Sequence, residues 1–376
     1  MTQQANAEII KHYRTQYRRA TKSDKSRIIN TIAESTRYSR KHIIHALNED
    51  VEVPKQITRD RGSRYEAIIE PLEKIWAISN FLCGKRLEPF IPELVDSLKR
   101  HNEISLTQEE EALLLSISSA TIDRLLIPAR KGLVLKGRST TKPGTLLKHK
   151  IAIRTFADWD ENQPGFLEID LVAHCGSNAR GEYINTLDMT DVATGWTVCA
   201  AFMGRSERFC VEAIEEAKPS FPFPILGIDS DNGSEFINAH LKRYCERNQI
   251  TFTRGRANKK NDSCYVEQKN WDVVRKMIGY SRFDTKQQLD TIRRVHNLLA
   301  LYQNYFQPSQ KLVSKQRIGA KVKKTYDVAQ TPCQRLLPRR ETPDKTRETL
   351  RHTLVGLNPA QLLRSIQSLI SELYPD

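Results

Sequence analysis

A carboxylate inside an apolar run is costly to bury unless it is paired or holds a metal, and this chain contains such placements at Asp170, Asp231 and Glu267. Asp170 lies within FLEIDLV, an apolar β-type run. Asp231 falls where a second run breaks into Asn-Gly, in GIDSDNGSEF, and Glu267 falls in SCYVEQKN, which reads as helix. Thirty-five residues separate Asp231 from Glu267. Three carboxylates at the ends of such elements point to a divalent-metal site, and an oxygen-only ligand set favours Mg²⁺ or Mn²⁺ over zinc.

The elements that must position them follow from the pattern. From Phe166 the chain reads as strands, FLEIDLVAH, GEYINTLDMT and GWTVCAAFMG, with turns at Gly176, Ser177, Thr194 and Gly195. A helix over 206–217, a strand over 224–229, a helix over 234–248 and a short strand over 250–253 come next. A longer helix is predicted from about Asp262 to Ile278, and another over 285–305. Three strands followed by alternating helix and strand describe a mixed five-stranded α/β sheet. His174, four residues beyond Asp170, reads as structural, and Trp271 as core packing.

The chain's 376 residues allow two or three domains at about 100–200 residues each. Lys and Arg number 59 against 45 Asp and Glu, a net charge of +14 that favours a polyanionic partner, nucleic acid above all. No run of about 18 apolar residues exists, which excludes a membrane-spanning helix, and the N-terminus lacks the apolar core of a secretory signal. Seven scattered cysteines without a CxxC pair fit reduced thiols, and with them a cytoplasmic location.

Residues 1–55 are basic and read as helices, with a helix-turn-helix candidate in SDKSRIINTIAESTRYSRKHIIHALN. There Ile28, Ile29 and Ile32 face inward, the turn lies near Thr36–Tyr38, and a helix capped by Ser39 turns Ile43, Ile44 and Leu47 to one face. Arg40, Lys41 and His45 then lie on the outer face, available to DNA. Residues 60–130 are a second helical, DNA-binding region, with an apolar stripe through Ile68, Leu72, Ile75, Trp76 and Ile78. Its helix-turn-helix candidate has Thr107 starting one helix, Ser116–Ser118 as the turn and Ser119 capping the next. Residues 131–158 are a basic linker, 159–305 the α/β core, and 306–376 a C-terminal region, basic and irregular up to 345 and helical from Thr346 to Leu373. A small β-barrel within 306–345 is one reading of that stretch.

The EIDLVAH, SDNGSEF and YVEQKN motifs, with the 35-residue interval, resemble the D,D-35-E signature of DDE integrases and transposases of bacterial insertion sequences, whose catalytic core is retroviral-integrase-like. The resemblance covers about 160–305 and implies an RNase H-like core behind α-helical, helix-turn-helix N-terminal regions. It implies Asp170, Asp231 and Glu267 as both catalytic residues and ligands of two Mg²⁺ (or Mn²⁺) ions, with Asp170 bridging. It further implies a homo-oligomer on double-stranded DNA, cutting 3′ ends of the element's terminal repeats and joining them to target DNA in a bacterial cytoplasm. Asn270, expected among the DNA contacts, stands three residues past the glutamate, where that family often has Asn. Trp271 and Val274 stand where integrases often have lysines, so DNA-backbone contacts must come from elsewhere: Arg254, Arg256, Lys259 and Lys260 in the loop before the glutamate helix, or Lys269 or Lys276. The His/Cys zinc module of retroviral integrases is missing. Asp229 competes with Asp231 for a supporting role. A nuclease of the same fold, and a domesticated DNA-binding regulator, are the alternative readings.

Overall fold

The structure is a computed structural model that describes residues 2–48, 64–131, 152–153, 163–204, 206–231, 236, 239–254, 266, 269–319 and 321–374. Glu267, Arg256, Lys259 and Lys260, singled out above, lie outside the described residues. Contacts divide the chain into two compact units, Met1–Arg64 and Tyr65–Asp376.

In the first unit, α1 (Gln3–Arg19), α2 (Lys22–Thr36) and α3 (Arg40–Asn48) close over Ile10, Tyr17, Ile28, Ile29, Ile32, Ile43 and Leu47. Thr2 and Thr21 cap the first two helices by accepting from backbone N–H groups one turn on. Arg37 ends α2 in the left-handed conformation (φ 60°), and the Ser39 hydroxyl accepts from His42 N–H at 3.3 Å to open α3. Ile43 and Leu47 form the buried stripe of α3. Ile44, expected to join them, is 38% exposed because it sits about 100° round the helix from Ile43.

The second unit begins with helices: α4 (Ile69–Ile78), α5 (Gly84–Leu87), α6 (Ile91–Arg100), α7 (Gln108–Leu115), α8 (Ser119–Leu125) and α9 (Ile127–Arg130). The expected stripe is in place, with Ile68, Leu72, Ile75, Trp76 and Ile78 all buried. Thr107 and Glu110 form a reciprocal capping box at α7. Ser118, one residue before the expected Ser119, caps α8. Gly84 is required where α5 meets α8, since a Cβ there would sit 2.1 Å from the Ser119 carbonyl oxygen. These helices share one apolar core with the sheet that follows, and Tyr302 Oη donates to the Ile78 carbonyl at 2.5 Å across the join.

That sheet is mixed. Five strands, β2 (Phe166–Ala173), β3 (Ile184–Asp191), β4 (Thr197–Met203), β5 (Gly227–Ser230) and β6 (Thr251–Arg254), are extended at one edge by the two-residue β1 (Ala152–Ile153). The order is β1-β6-β5-β2-β3-β4, antiparallel across β2, β3 and β4 and parallel across β2, β5, β6 and β1. The crossover helices α10 (Glu207–Ala217) and α11 (Ala239–Arg247) serve the parallel half. Past β6, the described part of the glutamate helix is a π-helical turn, Asn270–Arg275, running into α12 (Lys276–Ile278).

The long α13 (Lys286–Phe306), opened by a Thr285–Gln288 capping box, covers the β4 edge. Its Asn304 side chain accepts from Thr197 N–H and donates to Thr197 C=O, both at 2.8 Å, supplying the ladder bonds an edge strand lacks. The stretch expected to be irregular, or a small barrel, instead holds a two-stranded hairpin, β7 (Leu312–Ile318) and β8 (Lys321–Tyr326), followed by α14 (Pro332–Leu336). The expected tail helix is two, α15 (Asp344–Gly356) and α16 (Pro359–Glu372), because Pro359 cannot continue a helix and Asn358 caps a new one. The tail packs within the unit, α16 lying along α13 with Leu362, Leu363, Ile366 and Leu369 buried.

Candidate active site

Strand register brings the acidic residues together. The antiparallel pairing sets Asp170 opposite Asp188 and Glu168 opposite Thr190. The parallel pairing sets Glu168 beside Asp229 and Ile169 beside Ser230, so Asp231 emerges just past the end of β5, next to Asp170. One face of the sheet therefore carries two polar rows. The rear row, Thr253, Asp229, Glu168, Thr190 and Thr197, is buried, with Thr253 Oγ1 donating to Asp229 Oδ1 at 2.6 Å and Thr190 and Thr197 hydroxyls 3.1 Å apart. Glu168 Oε2 accepts from the Val266 N–H at 3.1 Å, tying β2 to the residue immediately before Glu267.

The front row is electrostatically strained. Burial first, then the neighbouring Asp231 charge, and more weakly Asp188, push the Asp170 carboxyl up to about 8 against opposing hydrogen bonds from Leu171 N–H and Asn270. Asn270 Nδ2 donates to Asp170 Oδ2 at 2.5 Å, and Leu171 N–H to Oδ1 at 2.8 Å, which fixes the carboxylate's plane. Burial likewise raises Asp188 to about 7, opposed by Lys269 and a hydrogen bond from Thr190. Asp188 Oδ2 and Asn270 Oδ1 are buried without a hydrogen-bond partner in the structure. Hard oxygen donors, mutually repelling and with an unmet acceptor beside them, suit a divalent cation. Among the described residues no set of three or more His, Cys, Asp or Glu side chains is arranged to hold a metal. Asp170 and Asp231 come together, and the third expected ligand lies outside those residues.

Other expected site residues are placed differently. Lys269, expected to reach DNA, is 8% exposed, and burial lowers its ammonium to about 8 with Arg86 adding to the effect; Asp272, Asp188 and Cys199 oppose it. Its position on the buried side of the helix makes it a countercharge to the acidic face. Arg254, expected in the loop, ends β6 and is 7% exposed. Lys276 spends its ammonium on the Asn80 carbonyl at 2.7 Å. Arg40, Lys41 and His45 are exposed on α3, with Arg40 turned back to hydrogen-bond Asn30 and Ser26 of α2.

Asp229 is turned toward Thr253 in the rear row, whereas Asp170 responds to Asp231. His174 is fully buried, its Nε2 2.9 Å from the Thr186 hydroxyl, and burial holds it neutral, down to about 3. Trp271 is half-buried. Asp188 and Glu168 were missed in the sequence reading. The alternation in LEIDLVA and INTLDMTD holds the signal for both, but only strand register reveals that Asp188 faces Asp170. Arg275 was missed too: the π-helical turn directs it to the Ala173 carbonyl at 3.0 Å.

The fold and the acidic row define an RNase H-like integrase core. Residues 160–260 match the integrase core domain family. An uncharacterized protein, y4rM of Sinorhizobium fredii, is 38% identical over 322 residues, covering 85% of this chain and 91% of that protein. The chain belongs to the same family as that protein, and its integrase core domain is that of the DDE integrases and transposases. Among solved structures, the HTLV-2 integrase catalytic core, in complex with magnesium, is similar at 16% identity over 39% of this chain and 90% of that one (TM-score 0.30). The catalytic core of BIV integrase is similar at 15% identity over 37% and 83% (TM-score 0.29).

Proposed function

We propose that this protein is an insertion-sequence transposase that cuts the 3′ ends of its element and joins them to target DNA. The observation that carries the reading is the convergence of Asp170 and Asp231 from adjacent strand ends, with Val266, the residue before Glu267 in the sequence, hydrogen-bonded to Glu168 of the same strand as Asp170. Asp170, Asp231 and Glu267 would hold Mg²⁺ or Mn²⁺, two ions in all, which when bound supply charge stabilisation at phosphorus and activation of the attacking oxygen. Asn270 orients the Asp170 carboxylate, and Lys269 offsets the negative charge of the buried face.

In the first step water displaces the 3′ oxygen at the element end, the P–O3′ bond breaks, and a 3′-hydroxyl and a 5′-phosphate result. In the second, that hydroxyl attacks a target phosphodiester and a target 3′ oxygen leaves. The +14 charge supports DNA as the substrate. On this reading the exposed Arg40, Lys41 and His45 of α3 recognise the terminal repeats, and the basic segment with Arg256, Lys259 and Lys260 holds the cut end. The protein would work as a homo-oligomer on DNA in the bacterial cytoplasm. Among the described residues no helix is long and apolar enough to cross a membrane.

The test incubates labelled duplexes carrying the flanking repeats with target plasmid, Mn²⁺ and either wild type or Glu267→Gln. Joined products from wild type alone are expected. Cleavage without joining would replace the proposal with a nuclease, and binding with neither product would replace it with a regulator.

A pH dependence follows from Asp170. Its folded-state value of about 8 lies above the unfolded value of 3.8, so the metal-free fold gains from acidification as pH falls from about 8 toward 4. A cation must displace that proton. Thermal stabilisation by Mn²⁺ is therefore expected to grow from pH 6 to about 8 and to level off above it. A stabilisation equal at both ends of that range would contradict the assignment.

A further inference from the structure

The β7–β8 hairpin belongs to neither the site nor the core. Among the described residues no third strand pairs with it; every side chain of β8 is exposed, as are the described ones of β7 apart from the half-buried Ser314. An isolated two-stranded hairpin is marginal in water, yet this one is fixed firmly at its base. Asp327 accepts from Lys311 N–H at 2.6 Å and from Arg335 at 2.6 Å, and Lys311 Nζ donates to the Val192 and Ala193 carbonyls at 2.7 and 3.0 Å. The far end turns at Gly319 (φ 60°), just past the paired Ile318 and Lys321.

What the fold holds out in this way is charge of one sign. Between Lys311 and Tyr326 there is no acidic residue, and Lys315, Arg317, Lys321, Lys323 and Lys324 are all exposed and form no ion pair among the described residues. Lys315 stands directly opposite Lys324 in the ladder. Like charges so placed destabilise a strand pair, and an anion laid along the ribbon removes that cost. Ser314, Gln316 and Thr325 add hydrogen-bonding groups, and the side chains of a base-reading type, Gln316 and Arg317, are neighbours in β7 and so stand on opposite faces of the ribbon rather than together on one. At about 3.3 Å per residue the ribbon reaches roughly 20 Å, the axial length of about six phosphates of one DNA strand.

We propose that this ribbon is a second DNA-contacting surface, which grips duplex DNA through its phosphates without regard to sequence. It rests on the reading of the protein as acting on DNA, and it assigns to the ribbon the part of the DNA that has no fixed sequence, the target.

The experiment uses the full chain with EDTA present, so that binding is read apart from catalysis. Anisotropy with a labelled duplex of arbitrary sequence is measured across salt for wild type, K315E/K324E, K321E/K323E and K315R/K324R. Each reversed pair is expected to weaken binding on the order of tenfold or more at about 0.1 M salt and to flatten the log Kd against log salt slope by about two. The arginine pair should bind as wild type does, and all four proteins should share one thermal midpoint, since the ribbon lies outside the core. Unchanged affinity and slope in both reversed pairs would overturn the proposal. So would a loss confined to duplexes carrying the element ends, or a fall in particle mass with binding per protomer unchanged, which would make the ribbon's exposed Val313 and Val322 a contact between copies of the chain. If wild type binds through the ribbon but yields no joined product, the transposase reading fails and the ribbon stands.

Discussion

Asp170→Asn is expected to remove metal-dependent cleavage and joining by on the order of 10³-fold or more, while leaving the fold intact or slightly firmer. The two effects have one cause. Asp170, itself half-buried, lies beside Asp231 and opposite the buried Asp188, and its negative charge is held there at a cost that a cation repays. Asparagine keeps the shape: its Oδ1 can still accept from Leu171 N–H, and its Nδ2 can donate to Asn270 Oδ1 once that amide turns over, but it removes the charge a metal needs. Single-turnover assays on a duplex with element ends should show neither product, and the metal-free thermal midpoint should equal or exceed that of wild type. Mn²⁺ should then shift that midpoint little. Wild-type activity in this variant would remove Asp170 from the site. A midpoint several degrees lower would mean that the carboxylate serves the fold.

Asp191→Ala is expected to have the opposite profile, a loss of stability of about 3–5 kcal/mol. Asp191 is fully buried at the end of β3. Its Oδ1 accepts from Gly165 N–H at 2.8 Å, and its Oδ2 from Thr194 N–H at 2.7 Å and the Thr194 hydroxyl at 2.6 Å. One carboxylate thus closes the β3–β4 turn and pins the entry to β2, the strand that carries Asp170. Alanine leaves two backbone donors buried without an acceptor. Denaturant unfolding should show a lower midpoint with an unchanged slope. A cost under about 1 kcal/mol would mean that water or a shifted backbone replaces the carboxylate.

These two aspartates, about twenty residues apart in the chain, also mark the reach of sequence reasoning. The strands themselves were legible because FLEIDLVAH, GEYINTLDMT and GWTVCAAFMG are apolar runs bounded by turn residues, and hydrophobic period is a local property. Asp170 and Asp231 stood out because a charge in such a run has few structural uses. The capping box at Thr285 likewise needs only residues within one turn of each other.

What the sequence could not determine depends on register and packing. Asp188 looks like any strand aspartate until antiparallel pairing sets it against Asp170. Lys269 and Lys276 read as free cations in a basic chain. Their burial is decided by which side of the glutamate helix meets the sheet and the α4–α5 segment, and by the π-helical turn that shifts that side. The stretch after α13 has the composition of a loop, and composition cannot say that its basic residues pair into a ribbon held at the base by Asp327 and Arg335. By itself the sequence determined the succession of strands and helices along the core and the excess of positive charge, and it singled out the acidic residues, each of which follows from local pattern or composition. Tertiary structure alone decided which charges face one another, which are buried and which stay exposed, because strand register and helix packing bring together residues far apart in the chain.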